Sequence, residues 1–441
     1  MVRGDYETKP ISDKVWGMMK KMRREHFFRT WQAQDEGGIV AMGMAPGFQP
    51  MLAGFGTVAT PSIGTGFTRV AREGTASDGL RRFVDITTAH GLTPMCGAIA
   101  AHVGQVWEGV SIKNPVSGKM ITPDFMYCAA GCNAIQKGTQ IAGDILGLPM
   151  LYIDQPATDN RENYLEYVTA QLLDAIEWIE KRTGRKFDDE RFIPSVSFNI
   201  QTNAFWAKIS DLTMNVPSPM SARQAASLHT PLVTMAYSRE VMEYLELLYD
   251  EMLQRVKEGI SATPYERKRL CHAGGIHPMF RPDVLRWPER YGAAFVLGWG
   301  VWGGAYSEDG KRVMPKSLEE RGIVLKNRAD AIRAMLDPFG FGGRTEGNRG
   351  GMRRNQLRRL KDWHIDGVML HLARRCALTQ NQIFDQKREL EEAGFIVGTY
   401  EASEGDPNEW NETRITEDFE RFFEQLGLTK LDYVESDKDE D

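Results

Sequence analysis

The chain has 441 residues, 42% of them hydrophobic, enough for two or three packed domains with real cores. Lysine and arginine number 54 against 60 aspartate and glutamate, a net charge of −6 that leaves no footprint for nucleic-acid binding. No run approaches the ~18 consecutive apolar residues of a membrane span, and the N-terminal MVRGDYETKPISDK lacks the apolar centre of a signal peptide, so a cytoplasmic protein without membrane contact is expected.

Residues 1–80 read as a mainly helical or irregular region. Val15, Met18, Met19, Met22 and Phe27 recur at helical spacing within 12–36, and Gly37-Gly38 stops the pattern. A first α/β lobe is expected over 81–237. FMYCA (125–129) reads as a strand, NAIQKGTQIAGDILG (133–147) as a helix and PMLYID (149–154) as a strand, a βαβ unit that requires parallel pairing. A helix follows over 161–183, with Leu165, Val168, Leu172, Ile176 and Ile179 on one face and Gly184 behind it. Residues 238–262 hold a helix, with Ser238 as its N-cap, expected to bridge two lobes.

The second α/β lobe is expected over 263–428. Its strands are YGAAFVLGWG (291–300), DGVMLHLARRC (366–376) and FIVGTYEA (395–402), with helices over 379–394 and 411–427. The remainder, 429–441, is a disordered acidic tail without core-forming residues.

Five cysteines are too few and too scattered for a secreted disulfide framework, which leaves buried filler or metal ligation. Cys96, Cys128, Cys132 and Cys376 all read as lying at strand ends that precede helices, where parallel sheets collect ligands. Two readings stand: separate small hydrophobes, or thiolates gathered at helix N-termini around an iron–sulfur cluster. The spacings fit neither a zinc ribbon nor a compact ferredoxin run. Cys271 has no thiol neighbour in sequence and reads as structural.

GWGVWG (298–303) matches G-x-G-x-x-G after a strand, but no helix pattern opens behind it, so a dinucleotide site is rejected. Trp299 and Trp302, beside flexible glycines, suit the wall of a pocket for a flat substrate. No P-loop motif occurs. Arg344, Arg349, Arg353 and Arg354 sit in a glycine-rich basic stretch that is either an exposed loop and helix face or a phosphate clamp, as an acyl-CoA would need. His371, five residues before Cys376, and His277 are either structural or proton donors beside a cluster.

YCAAGCNAIQKGTQIAGDILGLPMLYID (127–154), TGRKFDDERF (183–192), MLHLARRC (369–376) and EEAGFIVGTYEASEGDPNEWNETRI (391–415) together resemble the benzoyl-CoA reductase/2-hydroxyacyl-CoA dehydratase family, from about residue 80 to 428. Length and C-terminal wording are most similar to the beta-type (B or O) subunits of ATP-dependent class I benzoyl-CoA reductases. The resemblance implies an α/β fold of two tandem Rossmann-like (flavodoxin-like) parallel-sheet lobes after an N-terminal helical region, with a [4Fe-4S] cluster in the cleft. The family's C-[DN]-x-x-x-K stretch falls on Cys132, Asn133 and Lys137, its H-L-x-R-x-C stretch ends on Cys376, and its upstream cysteine falls on Cys96. Cys128 is left as a fourth ligand or a bystander, with solvent or substrate as other occupants of that position.

The resemblance further implies a homologous cluster-bearing partner subunit, ATPase activator subunits with a bridging [4Fe-4S] cluster, ferredoxin as electron donor and an acyl-CoA substrate. The expected function is the catalytic core of a benzoyl-CoA reductase that passes single electrons to an aromatic thioester, giving a cyclic diene. Its alternatives are a 2-hydroxyacyl-CoA dehydratase subunit and a non-catalytic scaffold.

Overall fold

The computed structural model describes residues 5–43, 48–59, 76–92, 95–114, 116–156, 160–301, 305–306, 310–337 and 349–432. Helix α1 (Asp13–Asp35) starts where the Ser12 hydroxyl accepts a hydrogen bond from the Val15 N–H, and it buries Val15, Met19 and Met22 along one stripe. Burial of each such side chain is worth about 1.5–3 kcal/mol.

The first lobe then runs through β1 (Ile39–Met42), β2 (Val58–Ala59), α2 (Ala76–Ala89), α3 (Gly97–Trp107), β3 (Phe125–Ala129), α4 (Asn133–Leu146) and β4 (Met150–Ile153). Its strands pair in parallel in the order β2-β1-β3-β4. Helices α5 (Arg161–Thr183) and α6 (Asp189–Leu212) cover the face that carries Phe125, Tyr127 and Ile153. Helices α3 and α4 cover the opposite face, which carries Met42 and Met126.

The second lobe follows α7 (Arg239–Glu258) with β5 (Lys268–Gly274), β6 (Ala293–Leu297) and the antiparallel pair β7 (Ala305–Tyr306) and β8 (Arg312–Val313). It continues through α8 (Arg328–Leu336), α9 (Arg349–Asp362), β9 (Gly367–Ala373), α10 (Ala377–Glu392), β10 (Ile396–Ala402) and α11 (Glu412–Gln425). The second sheet is also parallel, in the order β10-β9-β5-β6. Counted within each lobe, both sheets have the order 2-1-3-4. The expected α/β architecture of two parallel-sheet lobes is therefore present, and each lobe has a switch point between its first and third strands.

Three features depart from the expected boundaries. The first sheet begins at Ile39, inside the stretch read as helical or irregular, because IVAM is buried at every position and shows no alternation to betray a strand. Helix α7, expected to bridge the lobes, packs Tyr244, Leu245 and Leu248 in one core with α1 and with Val296, Val368 and Leu370 of the second sheet. The bridging element is α6 instead. Its first half puts Phe192, Val196 and Ile200 into the first core, and its second half puts Trp206 and Ile209 into the other.

Helix α8 lies by sequence in the second lobe yet returns to the first core with Ala331, Ile332 and Met335. Arg328 pairs with Asp189 at 2.7 Å, and Arg161–Asp337 and Arg333–Glu162 close the same face. The second sheet is pinned by Arg269 of β5, which is fully buried. Its guanidinium donates to the carbonyls of Trp363 (2.7 Å), Asn215 (2.9 Å) and Thr213 (2.7 Å) and pairs with buried Glu266. The expected acidic tail lies, beyond residue 432, outside the described residues. No helix among the described residues is long and apolar enough to cross a membrane.

Candidate functional site

Cys132 lies three residues beyond the end of β3 and Cys376 three beyond the end of β9, the third strand of each sheet. Each is the N-cap of the helix that follows, α4 and α10 respectively. Cys96 is likewise the N-cap of α3. Cys132 and Cys376 make no side-chain capping bond, whereas the N–H groups of Ile99 and Ala98 in the first turn of α3 point at the Cys96 sulfur and favour its thiolate. The strand expected before Cys96 is not there: α2 precedes it, and the described residues between α2 and α3 form no strand. A short apolar run cannot by itself distinguish the two.

The lobes meet at the start of α3. A Cβ on Gly405 would lie 2.6 Å from the backbone nitrogen of Ala98, so only glycine lets the loop after β10 approach the first turn of α3 this closely. Gly97 touches Ser403 and Asp406 of the same loop. Cys96 is buried, and burial followed by the nearby Glu404 carboxylate pushes its thiol up to about 12, with Cys376 adding to the rise. Two of the expected thiols are therefore electrostatic neighbours across the lobe junction. Cys96 also shares an apolar cluster with Ile141, against which Ala134 and Ile135 of the first turn after Cys132 pack. Cys132 itself is partly exposed.

Arg375, immediately before Cys376, has φ +62°, a left-handed conformation that costs a non-glycine residue about 1–2 kcal/mol. Its guanidinium reaches Glu409 at 2.8 Å and Asp406 at 4.0 Å. These ion pairs hold the strained residue and thereby fix where Cys376 departs from the strand.

Cys128 is placed otherwise. It is inside β3, opposite Tyr152, fully buried, and its Sγ lies 3.3 Å from the Ala129 carbonyl. Burial raises its thiol, and the Thr139 hydroxyl from α4 partly offsets the rise. Cys271 is buried in mid-strand in the second core, and burial pushes its thiol up to about 12.

His371 is buried, with Nδ1 2.6 Å from the Ile276 carbonyl and Nε2 3.0 Å from the Ala402 carbonyl, and its ring stacks on Tyr400 at 4.7 Å. Burial pushes it down to about 4. Both ring nitrogens are thus engaged by backbone. His277 is buried, with no hydrogen-bond partner at Nδ1 among the described residues, and burial, then Arg223 and His371, push it down to about 4. Trp299, partly exposed, stands edge-on to His277 at 6.5 Å and to His229 at 5.4 Å. Trp302 and Arg344 lie outside the described residues, and of Arg349, Arg353 and Arg354 only the backbone, at the start of α9, is described.

Sequence reading missed Glu404, His272 and Tyr400. His272 Nε2 lies 2.8 Å from the Tyr400 hydroxyl beside His371, with both residues buried. The signal for Glu404 was in plain view: SEGD follows directly on β10, at the carboxyl end of a parallel strand.

Among the described residues, no three histidine, cysteine, aspartate or glutamate side chains gather closely enough to hold a single metal ion. The donor set suits a cluster, whose thiolates attach at separate corners rather than around one atom. Sulfur donors on three helix N-termini would also face the anionic charge such a cluster carries.

Two parallel-sheet lobes of one topology, each with a cysteine three residues beyond its third strand, define the class. The chain belongs to the 2-hydroxyglutaryl-CoA dehydratase D-component family, whose model matches residues 39–426 and so includes β1 rather than starting near residue 80. It is 25% identical over 308 residues to the alpha subunit of (R)-2-hydroxyglutaryl-CoA dehydratase of Acidaminococcus fermentans, covering 67% of this chain but only 60% of that relative's length. It is 24% identical over 330 residues to the (R)-phenyllactyl-CoA dehydratase alpha subunit of Clostridium sporogenes, covering 73% and 74% of the two chains. To the (R)-2-hydroxyisocaproyl-CoA dehydratase alpha subunit of Clostridioides difficile it is 24% identical over 306 residues, covering 67% and 70%.

Proposed function

We propose that the chain is a catalytic-core subunit of a 2-hydroxyacyl-CoA dehydratase-type enzyme, holding a [4Fe-4S] cluster on Cys96, Cys132 and Cys376. The observation that supports this is the placement of those three thiols at helix N-termini, two of them at equivalent strand ends in the two sheets. Cys128 is left out, because its sulfur is packed within the sheet. The names of the relatives favour dehydration over the ring reduction expected from sequence wording. Ring reduction stays as the second reading, supported by the C-terminal wording.

The reaction removes the hydroxyl at C2 and a proton at C3 of a 2-hydroxyacyl thioester as water, leaving a 2-enoyl thioester with no net gain or loss of electrons. A bound cluster supplies a single electron at low potential. The chain's own residues hold it, through the three cysteines, and keep bulk water from the junction by burying Cys96, Cys376 and Glu404. His277, with one unpartnered ring nitrogen, is the better placed of the two expected proton donors, since both nitrogens of His371 face carbonyls. Alpha-subunit relatives imply a hetero-oligomer. The partners proposed are a second cluster-bearing subunit, a cluster-bridged ATPase activator and ferredoxin.

The test is anaerobic purification and reconstitution, with about four iron and four sulfide per chain expected and a spectrum that bleaches in air. A chain that takes up no iron under those conditions overturns the proposal. ATP consumed per product separates the readings: trace amounts with a 2-hydroxyacyl-CoA mark a dehydratase, and stoichiometric use with benzoyl-CoA marks a reductase.

A further inference from the structure

Trp299 stands where folding alone does not account for it. It lies two residues beyond β6, at the carboxyl end of the second sheet, and is 39% exposed. An aromatic ring stabilises a fold by being buried, yet the backbone holds this one out. The Val301 N–H donates to the Gly298 carbonyl at 3.0 Å, closing a four-residue turn with Trp299 at its corner. Gly300 follows with φ +90°, the left-handed position that a type II turn gives to glycine. The buried Trp206 indole N–H clamps the turn through the Gly300 carbonyl at 2.9 Å. A Cβ on Gly298 would lie 3.2 Å from that of Ala222, so the turn also packs closely on the helix Ala222–Leu228.

Uncharged imidazoles stand beside it. His277 and His229 lie at 66° and 86° to the indole, so neither covers its face by stacking. Burial favours the neutral ring in both, pushing His277 down to about 4 and His229 to about 3. Arg223, a cation that acts on His277, donates to the Ser227 hydroxyl at 2.7 Å.

We propose that Trp299 is a specificity-determining residue of the substrate site: its indole receives the acyl side chain, selecting an apolar, above all aromatic, chain over one ending in a carboxylate. The inference rests on the 2-hydroxyacyl-CoA reading above and adds to it the nature of the acyl group. In the sheet order β6 is two strands from β9, roughly 10 Å at the usual strand spacing. A thioester reacting beside Cys376 therefore meets Trp299 with its side chain rather than with C2 or C3. An aromatic chain gains ring contact there, whereas a carboxylate would be desolvated against an indole and two neutral imidazoles.

The experiment uses the anaerobically purified complex and dead-end CoA thioesters that lack the 2-hydroxyl, so that calorimetry reads affinity without turnover. Wild type is expected to bind 3-phenylpropanoyl-CoA about tenfold tighter than glutaryl-CoA or propanoyl-CoA. Trp299→Ala is expected to lose about tenfold on 3-phenylpropanoyl-CoA and less than about twofold on propanoyl-CoA. Trp299→Phe, which keeps a ring, stays within about threefold of wild type on both. Equal losses on the two thioesters in Trp299→Ala overturn the inference, as does glutaryl-CoA binding tightest to wild type. Loss of the partner subunits from Trp299→Ala on gel filtration overturns it too, by making the tryptophan an interface residue. A wild type that binds no CoA thioester at all sinks the 2-hydroxyacyl-CoA reading first, and this inference with it.

Discussion

The two sheets have one topology and unequal support. In the first, short strands pair over two to four residues, and Cys132 emerges partly exposed. In the second, β9 and β10 pair over seven residues, Arg269 ties β5 to three carbonyls and Glu266, and Cys376 is buried behind a left-handed arginine held by ion pairs. Equivalent cysteines thus sit on a loosely framed edge in one lobe and a rigid one in the other. On the function proposed here, a site that admits a substrate while holding sulfur in fixed places would need both.

The strongest way to break this comparison is to delete each thiol. Cys132→Ala and Cys376→Ala are both expected to abolish turnover and cluster binding, while Cys128→Ala keeps both, read by iron content and product formation. Full activity with Cys132→Ala would reduce the first lobe to a scaffold. Next comes Arg269→Ala, which removes the buried cation paired with Glu266 and the guanidinium's bonds to three carbonyls, and is expected to cost about 3–5 kcal/mol in urea unfolding. A loss below about 1 kcal/mol would show that the second sheet is not pinned as described.

The smallest effect concerns acid. His102, on α3 in the first lobe, is buried with neither ring nitrogen partnered, and burial pushes it down to about 4 from 6.5. The folded state therefore favours the neutral ring. That stability is fully present above the unfolded value near 6.5 and is lost as pH drops through 4, the loss amounting to about 3 kcal/mol once both states are protonated. His102→Leu is expected to lose less stability than wild type between pH 7 and pH 4.5, measured by urea midpoints. Equal losses would place the acid sensitivity among the other buried histidines, His26 and His229 included.

Much of this was readable in advance. FMYCA became β3 residue for residue, and the helix over 161–183 kept both ends, because Asn160 and Gly184 provide clear caps. Other parts left no local mark. β1 is buried throughout and so has no period of two, and α6 shifts its apolar stripe midway to serve two cores, which blurs any single helical face. Their setting before helices grouped Cys96, Cys132 and Cys376 with Cys128, and only the family resemblance separated the three. That Cys132 and Cys376 are equivalent required the strand order, and Glu404 required the loop packing at Gly405. Both are long-range facts that no window of sequence contains.

Helix α6 has a mechanical consequence. Since one continuous rod belongs to both hydrophobic interiors, neither half can be excised and survive, and severing the chain near residue 203 should melt the whole molecule in one step.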